Sequence, residues 1–549
     1  MIRVENLSYG FPNKDLYYNV SFSLYEGQHC AFIGSNGTGK TTLVDMLMHP
    51  EDYLYDGKII TESVCRIGYV TQFSSQEKNV DITVFDFLSE VFLKNQEETA
   101  KICEQMSTAT DMEPLFVEYQ KLLDEYQSMD GDNFESNIHK QLHLVGMSKK
   151  IDACISELSG GEYKLLQVMK EMLLKPNLLI MDEPDVFLDF ENLNGLCKLI
   201  NSYKGTMLVI THNRYILNHC FDKILHLENT DIQEFDGSYI EYNFALLKKK
   251  IELQELAKRD KEEIARNEEI VNRMRTAATN ASIAALGRTL HARETHLERL
   301  RARQIKEPFL AISMPDIILP EVETNPDKVV LSVWDYEVSF DELLLSDVCF
   351  ELHGNEKVAI VGANGTGKTT LLYDIYKNHH PSITIGEDVK VAFLSQVYRE
   401  NQEEDAGLSG GEQNLRQIER ISKSDANLLL LDEPTSHLDT YSQIALEKAI
   451  GEYKGAVLMV SHDFYNIVNC ADYILYVDDQ SIRRMRIRSF RKMVYDKHFD
   501  KTYLEIEQKK KELEIRIETA LKNSDVDLAK TLSIQLEQEI EKLCKISRL

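Results

Sequence analysis

The 549-residue sequence predicts an α/β fold used twice in tandem, the copies joined by an α-helical hairpin and followed by a C-terminal helical extension. Three observations carry this expectation. A glycine-rich stretch recurs, GSNGTGKTTL at 34–43 and GANGTGKTTLL at 362–372, each time after an apolar run, CAFI or VAIV. LSGGE (158–162 and 408–412), LLIMDEP or LLLLDEP (178–184 and 428–434) and VITHN or LMVSHD (209–213 and 458–463) then follow at matched spacing. Ser159 to Asp182 and Ser409 to Asp432 are both 23 residues, and Asp182 to His212 and Asp432 to His462 are both 30. Equal spacing of three motifs means one fold used twice.

The bulk numbers fit this and exclude several classes. A chain of this length can hold two or three domains, each with its own core. With 43% hydrophobic and 28% charged residues it has an ordinary globular composition. No run approaches the ~20 apolar residues that span a bilayer. MIRVENLSYG leads straight into a strand, so a cytoplasmic protein with no membrane partner is expected. The nine Cys are scattered singly, without metal spacing or a disulfide framework. A net charge of −28 argues against a surface that coats nucleic acid as a whole, so any RNA contact must be local.

In order along the chain, the expected parts are the first copy at 1–242, with a long helical, arm-like insertion at about 73–157; a basic helical linker at 243–307; the second copy at 308–482; and a basic helical extension at 483–549. Apolar strand, glycine loop, helix, then alternating strands and helices imply a largely parallel sheet in each copy. The insertion follows from spacing, since Gln72 to Ser159 spans 87 residues whereas Gln396 to Ser409 spans 13. Its 90–135 stretch carries twelve acidic residues and three Lys, which disfavours RNA there. The linker has spaced apolar residues and no Pro before Pro308, enough for two helices of about 25–30 residues, each roughly 40–45 Å long. The extension opens on Arg483, Arg484, Arg486, Arg488, Arg491 and Lys492, after which 501–521 and 526–546 read as two amphipathic helices.

The recurrent motifs carry phosphate chemistry. Gly34, Gly37 and Gly39, like Gly362, Gly365 and Gly367, let backbone N–H groups approach phosphates at a helix N-terminus. Lys40 and Lys368 would reach the β- and γ-phosphates, and Thr41 and Thr369 would hold Mg²⁺. Asp182 and Asp432 end apolar strands where they could act on the same metal, and Glu183 and Glu433 could orient or deprotonate the attacking water. His212 and His462 could hydrogen-bond a γ-phosphate or help hold that water. Gln72 and Gln396 are weaker signals that a polar strand end would equally explain.

These motifs resemble the Walker A, Q-loop, signature, Walker B and switch-His elements of ATP-binding cassette proteins, and the match covers both copies. The resemblance implies two tandem P-loop ATP-binding cassettes using ATP and Mg²⁺. Asn36, Thr42, Asn364 and Thr370 would join the phosphate loops, and Gln72 and Gln396 the metal. In that family the signature of one cassette caps the nucleotide held by the other. Ser409, Gly410 and Gly411 would thus complete the site on Lys40, and Ser159, Gly160 and Gly161 the site on Lys368, within a monomer whose two cassettes pair intramolecularly. By itself LSGGE could be a helix cap. Phe11 and Phe340 match the adenine-stacking position, with burial in the core, or Tyr9 and Tyr336, as alternatives.

Twin cassettes without a membrane span, LSGGE, and DEPTSHLD at 432–439 are similar to the ABC-F family of ribosome-binding translation factors and antibiotic-resistance proteins. The resemblance implies a linker that reaches tRNA and rRNA. Between Arg273 and Lys306 eight basic residues face two acidic ones, and Arg273, Arg275, Arg288 and Arg293 are the expected RNA contacts. A solvated coiled coil is the bland alternative. Rival functions are an ATP-hydrolysing subunit of a membrane transporter and a regulatory ATPase that never meets the ribosome. The chain departs from the family in DEPDVFLD at 182–189, where Asp185, Val186 and Phe187 replace the usual Thr-Asn-His. Glu183 and His212 survive, so ATP hydrolysis at both sites is expected.

Overall fold

Apolar parallel strands need both faces of their sheet covered. In each copy one core packs a smaller antiparallel sheet and the first helix against them: Val4, Tyr17 and Leu43 with Phe32 and Ile180 in the first, Val333, Tyr336 and Leu371 with Ile360 and Leu430 in the second. The computed structural model describes residues 2–12, 14–61, 66–71, 82–107, 112–186, 188–280, 291, 293–299, 315–340, 343–395, 410–478, 480–494 and 501–547.

In the first copy β1 (Ile2–Phe11), β2 (Lys14–Leu24), β3 (His29–Gly34) and helix α1 (Lys40–Met48) are followed by β4 (Asp56–Thr61) and β5 (Ile67–Val70). Helices α2 (Val84–Met106), α3 (Glu113–Ser128) and α4 (Phe134–Leu144) form the insertion. Then come α5 (Gly160–Leu173), β6 (Leu178–Asp182), α6 (Phe190–Ser202), β7 (Thr206–Ile210), α7 (Arg214–Cys220), β8 (Lys223–Glu228) and β9 (Asp231–Asp236). The main sheet runs β5-β6-β7-β3-β8-β9, parallel except for β9, beside an antiparallel sheet β2-β1-β4. Every residue of β6 and β7 is buried, as expected for strands in the middle of such a sheet. Next in the chain is α8 (Tyr239–Asn280).

The second copy repeats this order with β10 (Val329–Ser339), β11 (Leu343–His353), β12 (Lys357–Val361), α9 (Lys368–Lys377), β13 (Ile383–Ile385), β14 (Val391–Leu394), α10 (Gly410–Ser422), β15 (Leu428–Asp432), α11 (Thr440–Glu452), β16 (Ala456–Val460), α12 (Phe464–Cys470), β17 (Tyr473–Asp478), β18 (Ser481–Arg486) and α13 (Ile487–Val494). Its sheets run β14-β15-β16-β12-β17-β18 and β11-β10-β13, the same topology strand for strand. In both copies the carboxyl ends of the parallel strands bring the glycine loop, the Asp-Glu pair and the His onto one edge, where open α/β sheets bind ligands.

Two features differ from the sequence expectation. The basic run opens on a strand before it turns helical: Arg483, Arg484 and Arg486 lie in β18, paired antiparallel with β17, and Arg488, Arg491 and Lys492 follow in α13. Charge hid a strand here, because three arginines dominate SIRRMR and a sheet edge tolerates arginine. Arg484 stacks over Tyr473 at 3.6 Å, and Arg483 over Tyr476 at 5.4 Å. The helix of the linker also starts earlier, at Tyr239, since Ile240, Phe244, Leu247 and Ile251 already continue its apolar stripe.

The chain divides into two compact units, Met1–Ser238 with Met314–Tyr495, which holds both copies, and Tyr239–Ser313 with Asp496–Leu549. In the second unit, α8 has 42 residues, a reach of about 63 Å. Residues 293–299 are helical and return against it: Leu297 packs with Ile264 and Val271, and the guanidinium of Arg275 donates to Glu294 at 2.8 Å. Helices α14 (Lys501–Lys522) and α15 (Val526–Ser547) form a hairpin whose Ile517, Leu521, Leu532 and Leu536 cluster with Ile240 and Ile251 of α8. Lys248 pairs with Glu537 at 3.4 Å and Lys530 with Glu255. The extension therefore packs on the linker helix, an arrangement its amphipathic stripes alone could not identify.

Leu536→Ala should destabilise this three-helix cluster by about 2–5 kcal/mol, the range for buried leucine truncation. Hydrogen exchange should quicken in α8 around Ile251 and leave the protection of β3, β6 and β7 unchanged.

Candidate active site

A buried ammonium group must find oxygen partners, and this requirement shapes both glycine loops. Lys40 Nζ donates to Gly34 O at 2.9 Å and Ser35 O at 3.0 Å; Lys368 Nζ donates to Gly362 O at 2.9 Å and Ala363 O at 2.5 Å. Burial pulls both lysines below their usual range, opposed in each case by nearby carboxylates, Glu183 first for Lys40 and Glu433 first for Lys368. Gly39 and Gly367, with φ of +102° and +84°, precede the first turns of α1 and α9, a backbone region that side chains avoid. Thr41, Thr42, Thr369 and Thr370 lie in those first turns, whose N–H groups can receive an anion.

Thr41 Oγ1 donates to Asp182 Oδ2 at 3.1 Å, and Thr369 Oγ1 to Asp432 Oδ1 at 3.2 Å. The second Asp432 oxygen is buried without a hydrogen-bond partner. A hydroxyl beside a carboxylate is an oxygen donor set that fits Mg²⁺. Glu183 and Glu433 follow with φ of +45° and +48°. Their N–H groups donate to the last carbonyl of the neighbouring strand, Ile210 O and Val460 O, both at 2.9 Å. This bond ties each acid to the strand that carries the His.

His462 N–H donates to Glu433 Oε2 at 3.1 Å, while its ring Nε2 lies 3.6 Å from Oε1. Burial pushes Glu433 up to about 8 and Asp432 up to about 6, and pulls His462 down to about 3. His212, with both ring nitrogens buried and unpartnered, is lowered well below its usual range by burial and by Lys40. Both imidazoles are therefore neutral near pH 7 and can each give or take one hydrogen bond.

The two copies meet at these loops. Asn36 Nδ2 donates to His437 O at 2.7 Å, and Asn36 N to Asp439 Oδ2 at 3.2 Å. Gly411 sits so close that a Cβ there would lie 2.4 Å from Asn36 Nδ2 and 2.5 Å from His437 O. On the reciprocal side Asn364 N donates to Asp189 Oδ2 at 3.4 Å. Glu183, His212, Lys368, Thr369, Glu433 and His462 line one shared cavity of about 480 Å³. Ser159 accepts from Glu162 N at 3.2 Å while Glu162 accepts from Ser159 N at 3.0 Å, so LSGGE in the first copy forms a capping box at the start of α5, with Gly160 and Gly161 in its first turn.

Phe11 and Phe340 are 52% and 70% exposed, whereas Tyr336 is buried. Exposure at this level removes core burial as an account of the two phenylalanines. Gln72, Gln396, Ser409 and Arg288 lie outside the described residues. Arg273 pairs with Glu269 and Arg275 with Glu294 on exposed helix faces, and Arg293 is exposed; such surface pairs are weak enough to yield to phosphate. Asp189 and Asp439 were missed from sequence, although both stand seven residues past the aspartates of the repeated Asp-Glu-Pro and the same repeat test would have found them.

A family model described as "ABC transporter" matches residues 17–186 and 345–402. Among curated relatives, the uncharacterized ABC transporter ATP-binding protein YfmM of Bacillus subtilis (strain 168) is 27% identical over 518 residues, covering 85% of this chain and 96% of the relative. The energy-dependent translational throttle protein EttA of Escherichia coli (strain K12) is 28% identical over 520 residues, covering 85% and 90%. Of solved structures, one named RNase-L Inhibitor is similar in fold, with a TM-score of 0.53 at 17% identity over 89% of this chain and 91% of that one.

Because the folded Glu433 binds its proton more tightly than the ordinary carboxyl at 4.5, its contribution to stability is full below that value and is lost as pH rises through about 8. Thermal melts of the nucleotide-free protein should show stability falling from pH 5 to pH 8. Glu433→Gln should reduce that fall and raise the melting temperature at pH 8; an unchanged slope would count against the buried acid.

Proposed function

Since the chain belongs to the ATP-binding cassette family and is an ATPase of the ABC-F kind, we propose that it binds the ribosome in an ATP-dependent manner and that its linker contacts RNA there. The observation that carries this reading is the contact of the first glycine loop with the second copy. Asn36 reaches His437 and Asp439, with Gly411 alongside. A nucleotide held there touches both copies only when they are closed, so its binding energy favours closure.

In this reading Lys40 and Lys368 hold the β- and γ-phosphates. Thr41 with Asp182, and Thr369 with Asp432, hold Mg²⁺, together with Gln72 and Gln396. The metal would neutralise charge developing between the β- and γ-oxygens. Glu183 and Glu433 orient and deprotonate the attacking water, and the raised pKa of Glu433 suits a base working near neutrality. His212 and His462 hydrogen-bond the γ-phosphate as neutral imidazoles. Phe11 and Phe340 stack on adenine.

Two further observations support the ribosome as partner. A relative spanning 85% of the chain is named for throttling translation. The distal linker concentrates arginine on a chain whose net charge is −28. Among the described residues no helix is long and apolar enough to cross a membrane. The work done on the ribosome is protection from antibiotics or regulation of translation.

The double variant Glu183→Gln, Glu433→Gln should sediment with ribosomes in the presence of ATP, and reversing Arg273, Arg275 and Arg293 to Glu should abolish that trapping. Co-purification with membranes instead would favour a transporter subunit. Expression in a susceptible host, followed by growth with antibiotics of the peptidyl-transferase region, separates drug protection from general regulation.

A further inference from the structure

The two His-bearing segments belong to different copies, yet one side chain joins them. Arg214 stands two residues beyond His212, at the start of α7. Its guanidinium reaches across to the second copy, pairing with Glu447 and, at 3.3 Å, with Asp463 Oδ2. The three side chains are 10%, 9% and 16% exposed, so water contributes little to holding them. Asp463 directly follows His462, and its other oxygen caps α12 by accepting from Tyr465 N at 2.9 Å and Asn466 N at 3.2 Å. Glu447 is fixed from behind by Asn469 Nδ2 at 2.7 Å. Arg214 also lies over the Tyr465 ring at 5.0 Å, and Asn218 Nδ2 donates to the Tyr465 hydroxyl at 2.6 Å.

The arrangement is one-sided. The 250-residue repeat that relates His212 to His462 relates Arg214 to Phe464 and Asp463 to Asn213. Phe464 packs on Tyr215 with ring centroids 6.1 Å apart and on Phe490 at 6.0 Å. The ionic bridge is thus made once, from the first copy to the second, and has an apolar contact as its symmetry mate. A merely structural contact between repeats would more simply have been apolar twice, since a buried ion pair gains little over well-packed apolar side chains.

We propose that Arg214 is a positioning residue that couples the two ATP sites, transmitting the state of the His212 segment to His462 through Asp463. Loss of the guanidinium leaves two carboxylates buried and unpaired, which repel and let the two His segments settle independently. The inference rests on the reading that both sites hydrolyse ATP.

Steady-state ATP turnover is measured for Glu183→Gln and Glu433→Gln, each with Arg214 and with Arg214→Ala, alongside the two backgrounds without active-site changes. With Arg214 present, the two single-site rates should add up to several-fold less than the unblocked rate, because each site depends on the other. With Arg214→Ala they should add up to the unblocked rate of that background. Arg214→Lys, which keeps the charge, should recover part of the coupling. Should Arg214→Ala fail to fold by thermal melt, Asp463→Asn, which keeps a capping oxygen, replaces it with the same expectation. Rates that add fully with Arg214 present, or fall short equally in both backgrounds, overturn the proposal. A native protein without ATP turnover instead overturns the hydrolysis on which it rests.

Discussion

Two buried ammonium groups hold this structure to its chemistry. Lys40 and Lys368 lie where water cannot satisfy them, and each takes the carbonyls of two consecutive residues at the end of a sheet strand. With those carbonyls turned toward the lysine, loop N–H groups face anionic partners, as Asn36 N and Asn364 N do toward Asp439 and Asp189. Each loop thus closes around its own lysine as a cage of backbone oxygens. The left-handed glycines, the threonines of the first helical turn and the partner aspartates are all placed relative to that cage.

The acids and histidines follow from a second constraint, the backbone bond from Glu183 to Ile210 and from Glu433 to Val460. Each acid adopts a left-handed conformation that an unsupported glutamate would leave, and the neighbouring strand supplies the support. The cost of the backbone is met by a fully buried parallel pair of strands, β6 with β7 and β15 with β16. Local strain and sheet order are thus the same fact seen at two scales.

Much of this was legible because repetition turns weak signals into strong ones. The LSGGE segments, the Asp-Glu pairs and the histidines stand at identical spacing twice, behind glycine loops that repeat almost residue for residue. What was not legible lacks a repeat. Arg483, Arg484 and Arg486 looked like a helical basic run because SIRRMR, with its two apolar residues three apart, carries no two-residue period to mark a strand. Arg214 has no counterpart in the second copy, so no comparison between copies could mark it. The packing of α14 and α15 on α8 depends on matching two apolar stripes far apart in sequence, and one chain offers no measure of which stripe meets which. Ser159 forms a capping box with Glu162, and the proposed phosphate clamp would use the same residue.

The cluster that joins Ile251 to Leu536 has a bearing on how the protein is made. The first of these residues leaves the translating ribosome long before the second, with the whole second copy synthesised in between. A contact of such sequence separation forms late, since closure of the intervening chain precedes any gain from the contact. A nascent chain can therefore complete its first α/β copy while α8 still lacks its neighbours, its apolar stripe open to other binding until the last residues emerge. Chains cut before α14 would carry α8 with Ile240 and Ile251 uncovered by Leu532 and Leu536.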